Sequence, residues 1–341
     1  MPVSIKEVAK ATGYSVQTVS RVLNNRWEGY RESTCKTIAK KANEMGYRPN
    51  SLARAMVLGK FGSVGLLQST NSGRSYLPQL LLTGIHDALA EENLHLTVGR
   101  LPDEKLTDSD YVPKMIREWF CDGFLINYND HIPEKMKELV LESKRPSIWL
   151  NTKQDVDCVH PDDFGGGKLA VAYLISQGHT RIAYMHLRWG PEPKLDEAHY
   201  SVRDRLEGYL AGMHAAGLEP IVVEKPYKVP GPERISVCKE WLSRKDPPTA
   251  FVTDTNPEII SIAALETGIP MDKIPTILSF SDQPRHFAGF PAHTVYLKQN
   301  VLGATAVHML MEKMKAPEVP LPSKSIPYYI WQGDEEIYPE S

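Results

Sequence analysis

Gln17 and Arg21 stand four residues apart in the stretch GYSVQTVSRVLN, Gly13 to Asn24. On a helix that spacing places both side chains on one face, and both types are suited to base edges. An amide donates to and accepts from adenine, and a guanidinium forms a bidentate pair with guanine. Val16 can pack on a thymine methyl, while Thr18 and Asn24 suit phosphates, which fix register without reading sequence. The chemistry these residues offer is recognition of DNA through the major groove. A helical hairpin displaying the same polar residues as plain surface is the alternative.

The elements needed to position them are present in the pattern. SIKE (Ser4 to Glu7) has the form of a capping box, and Gly13 can end the short helix that follows. Ser15 is a good N-cap for a second helix, whose apolar stripe is Val19, Val22 and Leu23. A third helix, about Ser33 to Met45, carries Ile38, Ala42 and Met45 and stops at Gly46. Three short helices with a tight turn between the first two make a helix-turn-helix unit. The charge distribution agrees with this. Residues 1–60 hold 11 Lys/Arg against 4 Asp/Glu, and the remainder of the 341-residue chain holds 28 against 38. A basic head on an acidic body is what a nucleic-acid-binding module joined to an unrelated domain would give, although on charge alone a solvated lysine-rich helical face is the better explanation.

YRPNSLARAMVLGK (Tyr47 to Lys60) adds a short helix, about Ser51 to Val57, with Asn50 as its N-cap. It is too short to be stable alone. TVSRVLN, GYRPN and LARAM, in this order and spacing, resemble the head of the lactose/galactose repressor family of bacterial transcriptional regulators. The resemblance implies that Val16, Gln17 and Arg21 read bases and that Ser15, Thr18 and Asn24 hold the phosphate backbone. It further implies that LARAM is a hinge helix, formed when two chains pair over an operator. Met56 then takes the place of the usual leucine wedge in the minor groove, with Arg54 beside it as a cation. In GYREST, Ser33 and Thr34 keep a helix start, whereas Cys35 replaces a common arginine, so one backbone contact is in question.

Beyond residue 60 the pattern becomes alternating strand and helix. Strand-like runs occur at 63–68, 94–99, 124–127, 146–151, 181–187, 220–224, 249–254 and 276–281, with helical patterns such as 77–93 and 166–179 between them. This predicts an α/β body with parallel sheets covered by helices, in two lobes that face each other across a cleft. SVGLL, DGFLINY, QGHTRIAYM, RLEGY and PTAFV resemble blocks of the same family's sensor domain, which is like a periplasmic sugar-binding protein with two Rossmann-like lobes. The implied domains are a helix-turn-helix head at 1–48, a hinge at 49–60 and a sensor at 61–341. Its N-lobe would take 61–160 and 293–323 and its C-lobe 161–292 and 324–341, with crossings near 159–162, 290–294 and 322–326.

Effector contacts are carried over on the same resemblance. Arg205 in RLEGY matches an arginine that reaches the cleft and could bind hydroxyls or a carboxylate bidentately. Asn151, Thr255 and Asp282 match ligand positions, and Asn127 and Tyr128 sit at a strand end. Ser69 and Tyr76 complete the candidate set. Asn151 and Ser281 stand where aspartates are common, so two typical acceptors for sugar hydroxyls are replaced by an amide and a hydroxyl. A sugar or sugar derivative is the expected ligand, with a sugar phosphate, a nucleobase or another metabolite still open. Trp149, Phe251, Phe280, Trp189 and Tyr76 could form a stacking face, although aromatics in such a body more often pack its core.

Other features point away from chemistry. DDFGGGK (Asp162 to Lys168) lacks the first glycine and the final Ser/Thr of a phosphate-binding loop, and HPDD (His160 to Asp163) has no second cluster to complete a metal site. Cys35, Cys121, Cys158 and Cys238 lie far apart and read as reduced, buried thiols. No paired catalytic arrangement, cofactor fingerprint, secretory leader or run of 18 apolar residues stands out, so no enzymatic chemistry, cofactor or membrane span is expected and the expected compartment is the bacterial cytoplasm. The expected partners are double-stranded operator DNA, a sugar-like effector and a second copy of the chain as a homodimer.

Overall fold

The computed structural model describes residues 3–49, 59–71, 73–102, 105, 112–118, 120–129, 132–187, 199–224, 229–254, 256–282, 292–332 and 335–337. The chain divides into two units, Met1–Gly62 and Ser63–Ser341. The hinge expected around Ser51–Val57 lies outside the described residues.

In the first unit, α1 (Ile5–Thr12) opens with the complete capping box, in which Ser4 accepts from the Glu7 amide and the Glu7 carboxylate accepts from the Ser4 amide. The bonds that the Glu7 carboxylate accepts from the Ser4 amide and the Ser4 hydroxyl hold it below the usual carboxylate range. Gly13 ends α1 in the left-handed region at φ 75°, a conformation only glycine reaches without strain. It allows the chain to turn straight into α2 (Val16–Leu23), which Ser15 caps by accepting from the Thr18 amide. α3 (Glu32–Glu44) begins one residue before its expected start, with Arg31 as its N-cap. Val8, Val19, Val22, Cys35, Ile38 and Ala42 form the head's core. Cys35 is therefore an inward-packing residue, fully buried in that core.

The second unit contains two sheets. The first, in strand order β11-β5-β4-β3-β1-β2, consists of β1 (Ser63–Ser69), β2 (His95–Leu101), β3 (Gly123–Asn127), β4 (Ser147–Leu150), β5 (Cys158–Pro161) and β11 (Lys324–Ile326), and its pairs are parallel. The second, in order β13-β12-β10-β9-β8-β6-β7, holds β6 (Ile182–His186), β7 (Ile221–Glu224), β8 (Ala250–Thr253), β9 (Thr276–Ser281), β10 (Ala292–Leu297), β12 (Tyr328–Gln332) and β13 (Glu335–Ile337). This sheet departs from the expected parallel pattern at one edge, where β12 runs antiparallel to β10 and β13.

Helices pack on these sheets as the buried strands require. α4 (Gln79–Glu91) and α11 (Gln299–Lys315) cover the first lobe, and α7 (Asp163–Ser176) and α8 (Tyr200–Ala215) cover the second. α5 (Lys114–Arg117), α6 (Glu134–Glu142), α9 (Gly231–Leu242) and α10 (Glu258–Glu266) complete the described helices. The glycine run in DDFGGGK now has a physical reason. A Cβ on Gly167 would come within 2.4 Å of the Arg205 carbonyl, and one on Gly208 within 2.1 Å of the Phe164 carbonyl, so the glycines let α7 and α8 approach closely.

The chain passes between the lobes three times. The first crossing is at Asp162, between β5 and α7. The second is at Lys298, beyond the expected 290–294, because β10 first pairs with β9 in the second lobe. The third is at Pro327, just past 322–326, because β11 first pairs with β5 in the first lobe. Residues 293–297 therefore belong to the C-lobe and 324–326 to the N-lobe, the reverse of the expected assignment.

Candidate functional site

The head presents its polar face to solvent. Val19 and Val22 turn inward, while Ser15, Val16, Gln17, Arg21 and Asn24 are exposed. Val16 is 42% exposed, which leaves its methyl groups open to an apolar contact such as a thymine methyl. The hydroxyls of Ser15 and Thr18 lie 2.9 Å apart, and the Asn24 amide donates to the Ser20 carbonyl at 2.8 Å. These polar groups are thereby held in place at the two ends of α2. Asn50, Arg54 and Met56 lie outside the described residues.

In the body, a cavity of about 270 Å³ opens at the carboxyl ends of β8 and β9. That is where ligands of open α/β sheets bind. Arg205, Asp254, Phe280, Ser281, Asp282 and Tyr328 are among its lining residues. Arg205, from α8, donates through Nε to Asp163 at 2.7 Å and through Nη2 to the Tyr328 hydroxyl at 3.0 Å, and its guanidinium lies 4.4 Å from the Phe280 ring centre. Tyr328 in turn donates to the same Asp163 oxygen at 2.9 Å. Burial works against the charge on Arg205, but Tyr328, Asp163 and Asp254 outweigh it and raise its pKa well above the ordinary value. Burial also pushes the Tyr328 phenol far above its usual range, so it stays a neutral donor.

Each crossing leads to a residue that lines the cavity or bonds to one that does. Asp163 follows the first, Gln299 the second and Tyr328 the third. Gln299 donates to Asp282 at 3.1 Å. Two atoms add unmet hydrogen-bonding capacity, since the Ser281 hydroxyl and the second Asp163 oxygen are buried without a protein partner. Asp254 is paired with His186 at 2.6 Å.

Of the residues expected to touch effector, Arg205 and Asp282 are brought together at the cavity. Asn127 ends β3 fully buried, with its amide donating to the Tyr76 carbonyl at 3.1 Å and its own oxygen unpartnered. Tyr76 is 58% exposed. Ser69 is buried and its hydroxyl accepts from the Asn71 amide at 2.9 Å, so it supports a loop. Asn151, in the left-handed region at φ 52°, is held by α8: its side-chain oxygen accepts from Tyr200 at 3.3 Å and its carbonyl faces His199 Nε2 at 3.0 Å. Trp149, Tyr128 and Phe251 belong to the core, and of the described aromatics weighed as a stacking face Phe280 is the one at the cavity. Thr255 and Trp189 lie outside the described residues. Asp163 and Tyr328 are additions. Asp163 was visible within DDFGGGK but carried no sign of its ionic partner, and Tyr328 sits in a strand the periodicity did not reveal.

The model of bacterial regulatory proteins of the lacI family matches residues 4–50, and that of the periplasmic binding protein-like domain matches residues 171–333. The head is a lacI-family regulatory domain, and the body carries a periplasmic binding protein-like domain. The chain is 26% identical over 328 residues to the probable HTH-type transcriptional regulator EndR of Paenibacillus polymyxa, covering 93% of this chain and 92% of that one. It is 26% identical over 329 residues to the ribose operon repressor of Escherichia coli K12, covering 92% and 94%. The lac repressor dimer bound to operator and the anti-inducer ONPF shares its fold, with a TM-score of 0.71 at 19% identity over 97% of this chain and 98% of that one. The regulator thus joins a helix-turn-helix DNA-binding head to a two-lobed sensor body. Among its described residues no helix is long and apolar enough to cross a membrane, and no group of three metal-ligating side chains occurs.

Proposed function

We propose that this regulator represses transcription by binding a near-palindromic operator as a homodimer, and that a sugar-like effector in the body cavity controls that binding. The observation that carries the reading is α2, whose Val16, Gln17 and Arg21 stand exposed on the side away from its buried valines. Gln17 and Arg21 read bases, Ser15, Thr18 and Asn24 fix the backbone, and Asn50, Arg54 and Met56 act at the central minor groove. In the body, Arg205, Asp282 and the Ser281 hydroxyl form the polar part of the effector site on the C-lobe. Asn127, Tyr76, Ser69, Asn151 and Thr255 complete or support it. No catalytic step is assigned to any of them, and the protein acts in the cytoplasm where its operator lies. The ribose operon repressor among its relatives supports a sugar as the effector class. Linkage requires effector and operator to alter each other's affinity by the same factor.

The test is selection of bound sequences from a random DNA pool, followed by melting of the full chain with neutral sugars, sugar phosphates and nucleobases. A palindromic consensus and one compound that both raises the melting temperature and shifts operator affinity are expected. A pool that yields no consensus would sink the regulator reading, and binding of nucleobases alone would sink the sugar reading.

A further inference from the structure

The start of α8 joins the two lobes through side-chain contacts. His199, its N-cap, faces in two directions. Nδ1 accepts from the Ser201 amide at 3.3 Å and lies 2.7 Å from the Ser201 hydroxyl, while Nε2 lies 3.0 Å from the carbonyl of Asn151, at the end of an N-lobe strand. A backbone amide only donates and a carbonyl only accepts. Nδ1 must therefore be bare and Nε2 must carry the proton, which fixes the neutral Nε2–H tautomer. A proton on Nδ1 would oppose the Ser201 N–H and place a positive charge at the positive end of a 16-residue helix.

The neighbours of this imidazole make the same connection between lobes. Tyr200, whose ring centre is 4.3 Å from that of His199, donates to the Asn151 side chain and receives the edge of His160 at 5.9 Å. Lys153, two residues beyond Asn151, forms an ion pair with Asp204 on the next turn of α8 and lies 6.0 Å from the Tyr200 ring centre. Asp204 is buried, and the residue after it is Arg205. Among the groups facing His199 are Asn151, Ser201 and Tyr200, with Lys153, Asp204 and His160 around Tyr200.

We infer that His199 is a positioning residue which, only as the neutral Nε2–H tautomer, caps α8 and ties it to Asn151, so fixing the helix that carries Arg205 against the N-lobe. A consequence is that loss of this tie weakens ligand retention. That consequence rests on the cavity being the effector site, whereas the tautomer and the tie themselves need no ligand to be tested.

Two measurements on the full chain decide it. Ring 15N NMR at pH 7.5, with the His199 signals assigned by their loss in His199→Asn, should show the Nε2–H tautomer. An Nδ1–H tautomer or an imidazolium at that pH overturns the inference. Hydrogen exchange separates the tie from the cap, because asparagine is itself a good N-cap but is shorter than histidine and does not titrate. His199→Asn should speed exchange over residues 151–154 by about fivefold, the change made by one net hydrogen bond, and leave the first turn of α8 unaffected. His199→Ala should speed both segments. Residues 210–216 should be unchanged in each variant, which reports an intact fold. Acidification, which puts a proton on Nδ1 but leaves Nε2–H in place, should raise exchange over the first turn of α8, corrected for its intrinsic pH dependence, in the native chain and not in His199→Asn. Exchange over 151–154 unmoved in both variants overturns the tie.

Discussion

The recognition face of the head and the cavity of the body hold their polar groups in opposite ways. On α2, Gln17 and Arg21 are exposed, and the bonds that shape the face lie at the helix ends. In the cavity, Arg205 is bound to Asp163 and Tyr328 and packed on Phe280. The difference follows from the partner each surface meets. DNA supplies its own dense charge, so a reading side chain can wait in water. A small ligand gives few contacts, and its site must be organised beforehand by residues that are costly to disturb.

Changes at the cavity should therefore cost stability, and changes of the exposed reading side chains on α2 should cost binding alone. The largest effect is expected for Arg205→Met, which leaves the fully buried Asp163 without its cation and should destabilise the body by roughly 3–5 kcal/mol in urea unfolding. An unchanged unfolding midpoint would remove the contrast. Arg21→Ala should cost about 1–3 kcal/mol of specific operator binding and relax one base position, with no change in melting. A fall in melting temperature would mean that Arg21 supports the fold. Ser15→Ala removes the α2 cap and should cost about 1 kcal/mol of head stability, read by thermal unfolding of the full chain. The smallest effect is on pH. Burial lowers the pKa of His179 and His293 in the body, so their contribution is complete above the ordinary histidine range and is lost as pH falls through their lowered values. The unit 1–62 contains no histidine. Unfolding midpoints between pH 8 and pH 5.5 should fall for the body and stay level for the head, and His179→Gln should reduce the body's slope.

The head was the more legible region because its signals are local. Capping by Ser4 and Ser15, the turn at Gly13 and the outward set on α2 each depend on residues within four positions of one another. In the body, runs such as SVGLL and TAFVTD were long and apolar enough to read as strands. β5, β10 and β11 were not, since CVHP is short, AHTVYL mixes its faces and KSI is three residues long. Two of the misplaced crossings follow directly, as each lies just past one of these unrecognised strands.

By itself the sequence determined the head, the alternation of strands and helices, and the types of residue available to meet DNA and ligand, because periodicity, capping and turn chemistry act over a few residues. Only the tertiary structure decided that Asp163, Arg205 and Tyr328 share a site, with a separation in sequence of 165 residues between the first and last. It also decided that Asn151 is held by the start of α8, that Gly167 of the GGG run is a helix contact and that Cys35 packs inward. Ion pairs, close helix approach and burial depend on which distant segments meet, and no local pattern in the chain encodes that meeting.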